Sequence, residues 1–260
     1  MDALSNLLQL IRNENMKIYR RPRTWLMMFI VVAIVLTLAV ALKTLDQNME
    51  FGDAIAFMNF AGNLSFLAFL FAVVIAAEIV AGEFTWGTIK LLLIRPASRS
   101  KILLSKYVAV LMFLLGILVL LFFVSFATGL VVFGLPDEPG NGPRMSDVLQ
   151  QYGFRLIDYV VNVTFAFMLS AVFRSSNLAI GLSFTIMFLS STVMTILIQL
   201  KYGWAKYILY ANTDLSIYFN GRKPPFPDMT LGFSVTMIVL YYIAFMAIAW
   251  ITFRKRDVAG

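Results

Sequence analysis

The chain contains no cysteine and no histidine, and only 13% of its 260 residues are charged. Without cysteine it can form neither a disulfide framework nor a thiolate metal site, and without histidine it lacks the commonest metal ligand and the usual general base. Soluble domains contain about 25% charged residues. These absences argue against most metal and hydrolytic chemistry, and the shortage of charge predicts a membrane protein.

Apolar residues stand in place of the missing charges: 60% of the chain is hydrophobic, 24 residues are Phe, and the mean hydropathy is +0.84. A helix needs about 20 apolar residues to cross a bilayer core of about 30 Å. Stretches of this kind occur at residues 25–42, 57–77, 107–135, 156–173, 178–200 and 231–253. The sequence therefore predicts an all-α membrane protein with six transmembrane helices in a single transmembrane domain, residues 1–260.

The net charge of +7 could indicate a nucleic-acid partner, but in a membrane protein the positions of Lys and Arg are more informative than their sum. Most of these residues lie before the first predicted span, between the second and third, or directly after the last. The positive-inside rule then places both termini in the cytoplasm, in a multi-pass protein of the cell membrane. We expect the lipid bilayer as a partner and no nucleic acid.

The first 21 residues have a pattern of their own. Apolar residues recur there at helical spacing with polar residues between them: Leu4, Leu7, Leu8, Ile11 and Ile18. This predicts an amphipathic helix over residues 1–21 that lies in the inner membrane interface, as an elbow before the first span, and that is broken at Pro22. A frayed N-terminal tail is the other interpretation.

Residues 201–230 lie between the last two predicted spans and divide into two parts. The stretch "KYGWAKYILYANTDL" places three Tyr and a Trp among apolar residues, as interfacial segments do, whereas "NGRKPPFPD" cannot be helical. We expect an extracellular segment that either contains a short re-entrant or surface helix or is only anchored by its aromatic residues.

Residues 82–88 imitate the spacing of a phosphate-binding loop, but the lysine that would meet the phosphates is absent. We therefore expect no cofactor on this chain, and no ATP. Acids in mid-membrane, which ion-coupled carriers use, are not evident, because Asp158 and Glu78 lie near the ends of their predicted spans. Other polar residues within spans are expected to form hydrogen bonds between helices: Asn59, Asn63, Asn162 and Ser170.

Between the second and third predicted spans, residues 78–106 carry seven charged side chains. Burying them in mid-bilayer would cost on the order of 20 kcal/mol, so the segment must leave the membrane. Its centre is nevertheless apolar, which predicts a short cytoplasmic helix over residues 84–95 that Pro96 ends. Lipid headgroups, the spans themselves or a partner's groove could cover its apolar face, and Ser98 or Ser100 can cap the next helix.

The same stretch, "GEFTWGTIKLLLIRPASRSKILLSK", resembles the cytoplasmic signature of type-2 ABC transporter permeases, the membrane subunits of bacterial ABC exporters. The matching residues are Glu83, Gly87, Thr88, Leu91, Leu92, Pro96, Ser98, Arg99 and Lys106. The elbow helix, the six spans and the segment between the last two spans fit the outline of the same family.

The resemblance implies a half-transporter, and no enzyme, that dimerises with a second copy or a homologous permease. The helix at residues 84–95 would be a coupling helix that docks into a separate cytoplasmic ATPase subunit, and that subunit would bind ATP and magnesium. The matching residues would then form the coupling site, with Phe84, Trp86 and Ile89 as docking residues. Permeases of this outline often serve resistance to peptide antibiotics or their export.

Two other hypotheses are open. Three spans on either side of the loop at residues 134–143 would have inverted topology, as in secondary carriers, although no internal sequence similarity accompanies it. A membrane scaffold subunit would need the cytoplasmic helix for assembly but no translocation path.

Overall fold

The computed structural model describes residues 3–45, 52–87, 98–135, 142–173 and 175–255, and these form helices, turns and connecting segments without a β-strand. The helices are α1 (Ala3–Tyr19), α2 (Pro22–Leu45), α3 (Ala54–Ala61), α4 (Ser65–Ile79), α5 (Ala81–Thr85), α6 (Arg99–Val132), α7 (Met145–Val172), α8 (Ser176–Gln199) and α9 (Leu231–Lys255). A 3-10 turn, Gly62–Leu64, joins α3 to α4, and three more lie between α8 and α9: Gly203–Tyr207, Leu209–Ala211 and Leu215–Tyr218.

Six helical stretches in the described part of the chain are long and apolar enough to cross a membrane: Pro22–Thr44, Ala54–Ile79, Arg99–Val132, Met145–Val172, Ser176–Gln199 and Leu231–Lys255. The prediction of an all-α, multi-pass membrane protein is thereby confirmed. Polar turns prolong two helices beyond the predicted spans, since α6 begins at Arg99 and α7 at Met145. Asp158 lies near the middle of α7 because these polar turns precede the predicted span, and it keeps its place near the start of residues 156–173.

The junction of α1 and α2 is as short as Pro22 predicts. Proline suits the first turn of a helix, where its missing N–H is not needed, and α2 begins at this residue. The last carbonyls of α1 are satisfied by side chains of α2: the Thr24 hydroxyl donates to the Ile18 carbonyl at 2.6 Å, and the Trp25 indole N–H donates to the Tyr19 carbonyl at 2.8 Å. Residues 3–19 are therefore a helix with a well-bonded end.

The chain divides into two compact units. The first unit comprises Met1–Glu14, Val73–Val110 and Leu156–Gly260, and the second comprises Asn15–Ala72 and Leu111–Arg155. The helices α1, α4, α6 and α7 therefore contribute residues to both units.

Aromatic packing around Tyr107 marks the core of the first unit. The Tyr107 ring lies 5.2 Å from the ring of Phe167 and 6.4 Å from that of Tyr242, measured between centroids. Its hydroxyl shares a hydrogen bond of 2.7 Å with Thr164 of α7. Tyrosine can be buried here because its polar end has a partner.

The segment between α8 and α9 also belongs to the first unit and has a small core of its own: Met194, Ala205, Ala211, Phe226 and Met229. Instead of one α-helix it forms 3-10 turns, because the buried Asn212 side chain donates to the carbonyls of Lys206 and Ile208 and so competes with helical bonding. Burial, and then the negative charge of Asp158, raise the pKa of Tyr210 to about 12. The segment therefore comes close to α7.

A close approach of two helices organises the second unit. A methyl group added to Gly129 of α6 would lie only 3.0 Å from the carbonyl oxygen of Ala54, the first residue of α3. The Ala54 N–H donates to the Gly134 carbonyl at 2.9 Å, and the rings of Phe57 and Phe133 stack at 5.2 Å. Small residues let backbones meet in this way inside membranes, where dispersion contacts replace the hydrophobic effect.

We expect Gly129→Ala to lower the melting temperature of the purified chain in mild detergent, measured by intrinsic tryptophan fluorescence. Overpacking against backbone costs about 1–3 kcal/mol, which exceeds the gain of about 1 kcal/mol that Ala brings to a helix. Gly153→Ala in α7 is the matched control, because open space surrounds Gly153 in the described structure. It should leave the melting temperature unchanged or raise it, and equal responses of the two variants would contradict the close approach.

Candidate coupling site around a buried lysine

The short helix α5 begins with help from another helix. Its first backbone N–H groups have no partner within α5, as at any helix start. The fully buried Ser170 of α7 supplies the missing hydrogen-bond acceptor. Its hydroxyl oxygen accepts from the N–H of Val80 at 3.1 Å and from the N–H of Ala81 at 2.9 Å. This confirms the expected interhelical hydrogen bonding of Ser170 and fixes α5 to α7.

The other side of α5 contacts the start of α8. The hydroxyl groups of Thr85 and Ser176 lie 3.4 Å apart. Gly82 also lies close to Ser176. A methyl group added to Gly82 would lie 3.3 Å from the Glu78 side chain and 3.8 Å from the Ser176 hydroxyl. A larger residue at position 82 would crowd this contact.

A glycine ends α5. Gly87 has φ +69°, a left-handed conformation that favours glycine, and the Trp86 N–H donates to the Gly82 carbonyl at 2.9 Å. Residues 84–87, the first part of the predicted coupling helix, therefore form the end of α5 and a turn at Gly87. The remaining residues of that prediction lie outside the described residues, among them Thr88, Ile89, Leu91, Leu92 and Pro96.

Three charged side chains from three helices meet beside α5, and we call them the ion triad: Glu14 of α1, Glu83 of α5 and Lys106 of α6. The Lys106 ammonium group lies 2.8 Å from a carboxylate oxygen of Glu14 and 2.9 Å from one of Glu83. The exposed fractions of the side chains are 1% for Lys106, 6% for Glu14 and 12% for Glu83. These charges are thus almost completely shielded from water.

Burial makes the ion triad a strong mechanical link. Removing ions from water costs several kcal/mol each, and only close, well-oriented partners compensate for it. Where the effective dielectric constant is low, pulling two opposite charges apart by a given distance also costs more energy than it does in water. A displacement of α5 must therefore either carry α1 and α6 along or break a costly ion pair.

Two members of the ion triad, Glu83 and Lys106, were expected as residues of the coupling motif, but their ion pair was not predicted and the third member was missed. Glu14 lies three residues after Ile11 and four before Ile18, so it falls on the apolar stripe of α1. A single carboxylate on an apolar stripe is a signal for a buried partner, and it could have been found. The identity of that partner could not, because Glu14 and Lys106 are separated by 92 positions.

Two more residues of the resemblance motif stabilise helix ends. The Ser98 side chain accepts from the Lys101 N–H at 3.4 Å, which confirms Ser98 as a cap of α6. The Arg99 guanidinium donates to the Arg254 carbonyl at 2.9 Å, in the last turn of α9. Since the last carbonyls of a helix have no partner within it, Arg99 ties the start of α6 to the end of α9.

The docking candidates differ in exposure. Trp86 is 73% exposed, directly after α5, whereas Phe84 is half-buried. Trp86 is thus a large exposed aromatic side chain close in sequence to Glu83 of the buried ion triad. No cluster of acidic residues that could hold a metal ion occurs in the part of the chain that the structure describes.

Comparison with known proteins places the sequence in a family. The family described as "Protein of unknown function (DUF2705)" matches residues 29–259, which is most of the chain. The chain belongs to the DUF2705 family. The part that matches DUF2705 includes Glu83 and Lys106, whereas Glu14 precedes it.

Two relatives from Bacillus subtilis (strain 168) resemble this DUF2705 protein. It is 42% identical to the uncharacterized protein YhcI over 218 residues, which cover 79% of this chain and 69% of YhcI. It is 28% identical to the uncharacterized membrane protein YdbK over 249 residues, which cover 94% of this chain and 99% of YdbK. The description of YdbK as a membrane protein agrees with the six apolar helices found here.

We expect Lys106→Met to destabilise the protein by about 3–5 kcal/mol, because two buried carboxylates would lose the ammonium group that both contact. Thermal unfolding in detergent measures this. The triple variant Glu14→Gln, Glu83→Gln, Lys106→Met should regain much of the loss, since it removes all three charges. Lys101→Met, on the same helix, is the matched control and should change little; a similar loss for both lysine variants would refute the role of the ion triad.

Ser170→Ala should loosen the start of α5, because the N–H groups of Val80 and Ala81 would lose their acceptor at about 1–3 kcal/mol. Amide hydrogen exchange of residues 80–87, followed by mass spectrometry, should become faster. Ser183→Ala is the comparison, since the Ser183 hydroxyl donates only to the Ala179 carbonyl of its own helix. Unchanged exchange in Ser170→Ala would show that α5 does not depend on this hydroxyl.

Proposed function

We propose that this DUF2705 protein is the permease subunit of an ATP-driven ABC exporter and that a separate cytoplasmic ATPase subunit drives it. The observation that carries the proposal is the ion triad. The sequence motif that resembles the coupling signature of type-2 permeases contributes Glu83 and Lys106, and these residues meet in a buried ion pair. A coupling motif needs such a connection between its contact surface and the membrane helices.

The proposed mechanism is a transfer of movement. The ATPase docks against the segment that begins at Trp86, and closure of the ATPase around ATP displaces that segment. Through Glu83 and Lys106 the displacement reaches α6 and α1, and Arg99 transmits it to the end of α9. No chemistry takes place on the permease itself, and its charged residues act by position.

The remaining parts of the proposal concern topology. Both termini lie in the cytoplasm, α1 lies in the inner interface as an elbow helix, and a second permease copy or a homologous permease completes the translocation path. The segment between α8 and α9 is extracellular, and it lies close enough to Asp158 of α7 for that carboxylate to raise the pKa of Tyr210. The proposed cargo is an amphipathic molecule such as a peptide antibiotic.

One observation favours a secondary carrier as the second candidate. Asp158 lies within the candidate span Met145–Val172, and its carboxylate accepts a hydrogen bond of 2.8 Å from Asn162. Acids within spans often carry protons or ions. A carrier would depend on Asp158 and would not need an ATPase at Trp86.

The two candidates predict different effects of Trp86→Ala. The full chain is purified from its native host in mild detergent, and ATP hydrolysis by the co-purified complex is measured together with uptake into vesicles. For a permease, Trp86→Ala should reduce the co-purified ATPase activity about tenfold, as expected when an aromatic interface anchor is lost. Trp204→Ala, which removes another exposed tryptophan, is the matched control and should have no effect.

Glu83→Gln gives a second readout, because it preserves the shape of the ion triad but removes one charge. We expect the ATPase to stay bound while its hydrolysis is no longer coupled to uptake. Reproducible absence of any ATPase, with uptake that Asp158→Asn abolishes and Trp86→Ala preserves, would refute the permease and support the carrier.

A further inference from the structure

Arg155 lies where the polar start of α7 meets its apolar stretch. It is the eleventh residue of α7, which has 28 residues and is apolar enough to span the membrane. The residues before it include Asp147, Gln150 and Gln151, whereas the predicted span begins at residue 156. Its guanidinium is therefore placed to reach the headgroup layer at the edge of the apolar core.

The partner of Arg155 is an irregular turn at a similar depth. The 3-10 turn Gly62–Leu64 interrupts the apolar stretch Ala54–Ile79 about 12 Å from its start. The Arg155 guanidinium donates through Nη1 to the Gly62 carbonyl and, at 2.7 Å, to the Ser65 hydroxyl. Through Nη2 it donates to the Asn63 side-chain oxygen at 2.8 Å. All of these residues belong to the second unit.

The atoms that hold Arg155 are all neutral oxygens. Among the described residues no carboxylate forms an ion pair with Arg155, and Asp158, one turn further along α7, accepts its hydrogen bond from Asn162. Neutral acceptors satisfy N–H groups but supply no negative charge. The described contacts therefore leave the positive charge of Arg155 available to an anionic ligand.

The guanidinium also has capacity for a ligand. It carries five N–H donors, and the contacts described use three of them. The bond from Nη2 to Asn63 lies on the exposed side, and the neighbouring Phe66 is exposed as well. One turn before Arg155, the buried side-chain oxygen of Gln151 has no hydrogen-bond partner in the described structure. A cation with unused donors and an acceptor oxygen without a described partner thus lie one turn apart, next to the apolar part of the helix.

We propose that Arg155, with Asn63 and Gln151, binds the anionic headgroup of an amphiphile that enters sideways from the bilayer. Arginine suits this task because its fork of N–H groups matches phosphate and carboxylate oxygens, and the Gln151 oxygen can accept from a headgroup hydroxyl. The apolar chain of the ligand would lie along the exposed face beside Phe66. Binding of this kind requires no ATPase, so the proposal does not depend on the coupling mechanism above.

Native mass spectrometry of the full chain in dodecyl maltoside tests the proposal. Phosphatidylglycerol is the anionic probe with a hydroxylated headgroup, and phosphatidylcholine is the probe without net charge. The wild type should bind the first phosphatidylglycerol about tenfold more tightly than phosphatidylcholine, the gain expected of one charge-assisted contact. Arg155→Gln should abolish this preference, and Arg155→Lys should retain part of it.

Lys43→Gln is the matched control, because Lys43 is a cation of the same unit that donates to the Val132 carbonyl. Lys43→Gln should keep the full preference for phosphatidylglycerol. An equal loss of this preference in Lys43→Gln and Arg155→Gln would mean that any cation of the unit has the same effect, and it would overturn the proposal. If Arg155→Gln does not fold, Asn63→Ala and Gln151→Leu replace it, and an unchanged preference in both would also overturn the proposal.

Inorganic phosphate and lysophosphatidic acid identify the source of the headgroup. Competition by lysophosphatidic acid but not by inorganic phosphate supports a site for single-chain amphiphiles such as a cargo. Competition by neither, with the preference for phosphatidylglycerol intact, supports a resident lipid. Competition by inorganic phosphate alone would contradict an amphiphile as the ligand.

Discussion

The Lys106 ammonium group is almost completely shielded from water, and the two carboxylates that surround it come from distant parts of the chain. This burial is tolerable only while both partners stay within hydrogen-bond distance. The positions of α1, α5 and α6 are therefore linked by one constraint, although α5 itself has only five residues. A helix so short has little stability of its own, and it persists here because Glu83 and the contacts to α7 and α8 hold it.

A second constraint comes from the backbone. Wherever a membrane helix is interrupted, its peptide groups need partners, because lipid supplies none. The structure meets this need with side chains from neighbouring helices: Ser170 at the start of α5, Arg99 at the end of α9, and Arg155 at the 3-10 turn before α4. At each of these places a side chain from another helix thus supplies the hydrogen bonds that regular helical turns would form within themselves.

Features that depend on residues close in sequence could be predicted from the sequence. The apolar stretches indicated the six spans, Pro22 the junction of α1 and α2, and Ser98 the cap of α6. Features that depend on distant partners could not, which is why the pairing of Glu14 with Lys106 was not predicted. The end of α5 depends on the left-handed backbone of Gly87, and this glycine is a helix-stop signal that the prediction of a helix over residues 84–95 did not use.

The helix α7 provides both Arg155, which bonds the Gly62 turn, and Ser170, which bonds Val80 and Ala81. The ribosome completes α3, α4 and α5 long before it reaches α7. During biosynthesis the second span must therefore enter the membrane while the backbone groups at both of its irregular ends still lack their final partners. Water or the insertion machinery has to satisfy those groups in the meantime. The regions on either side of α4 therefore reach their final hydrogen bonding only after α7 has been made.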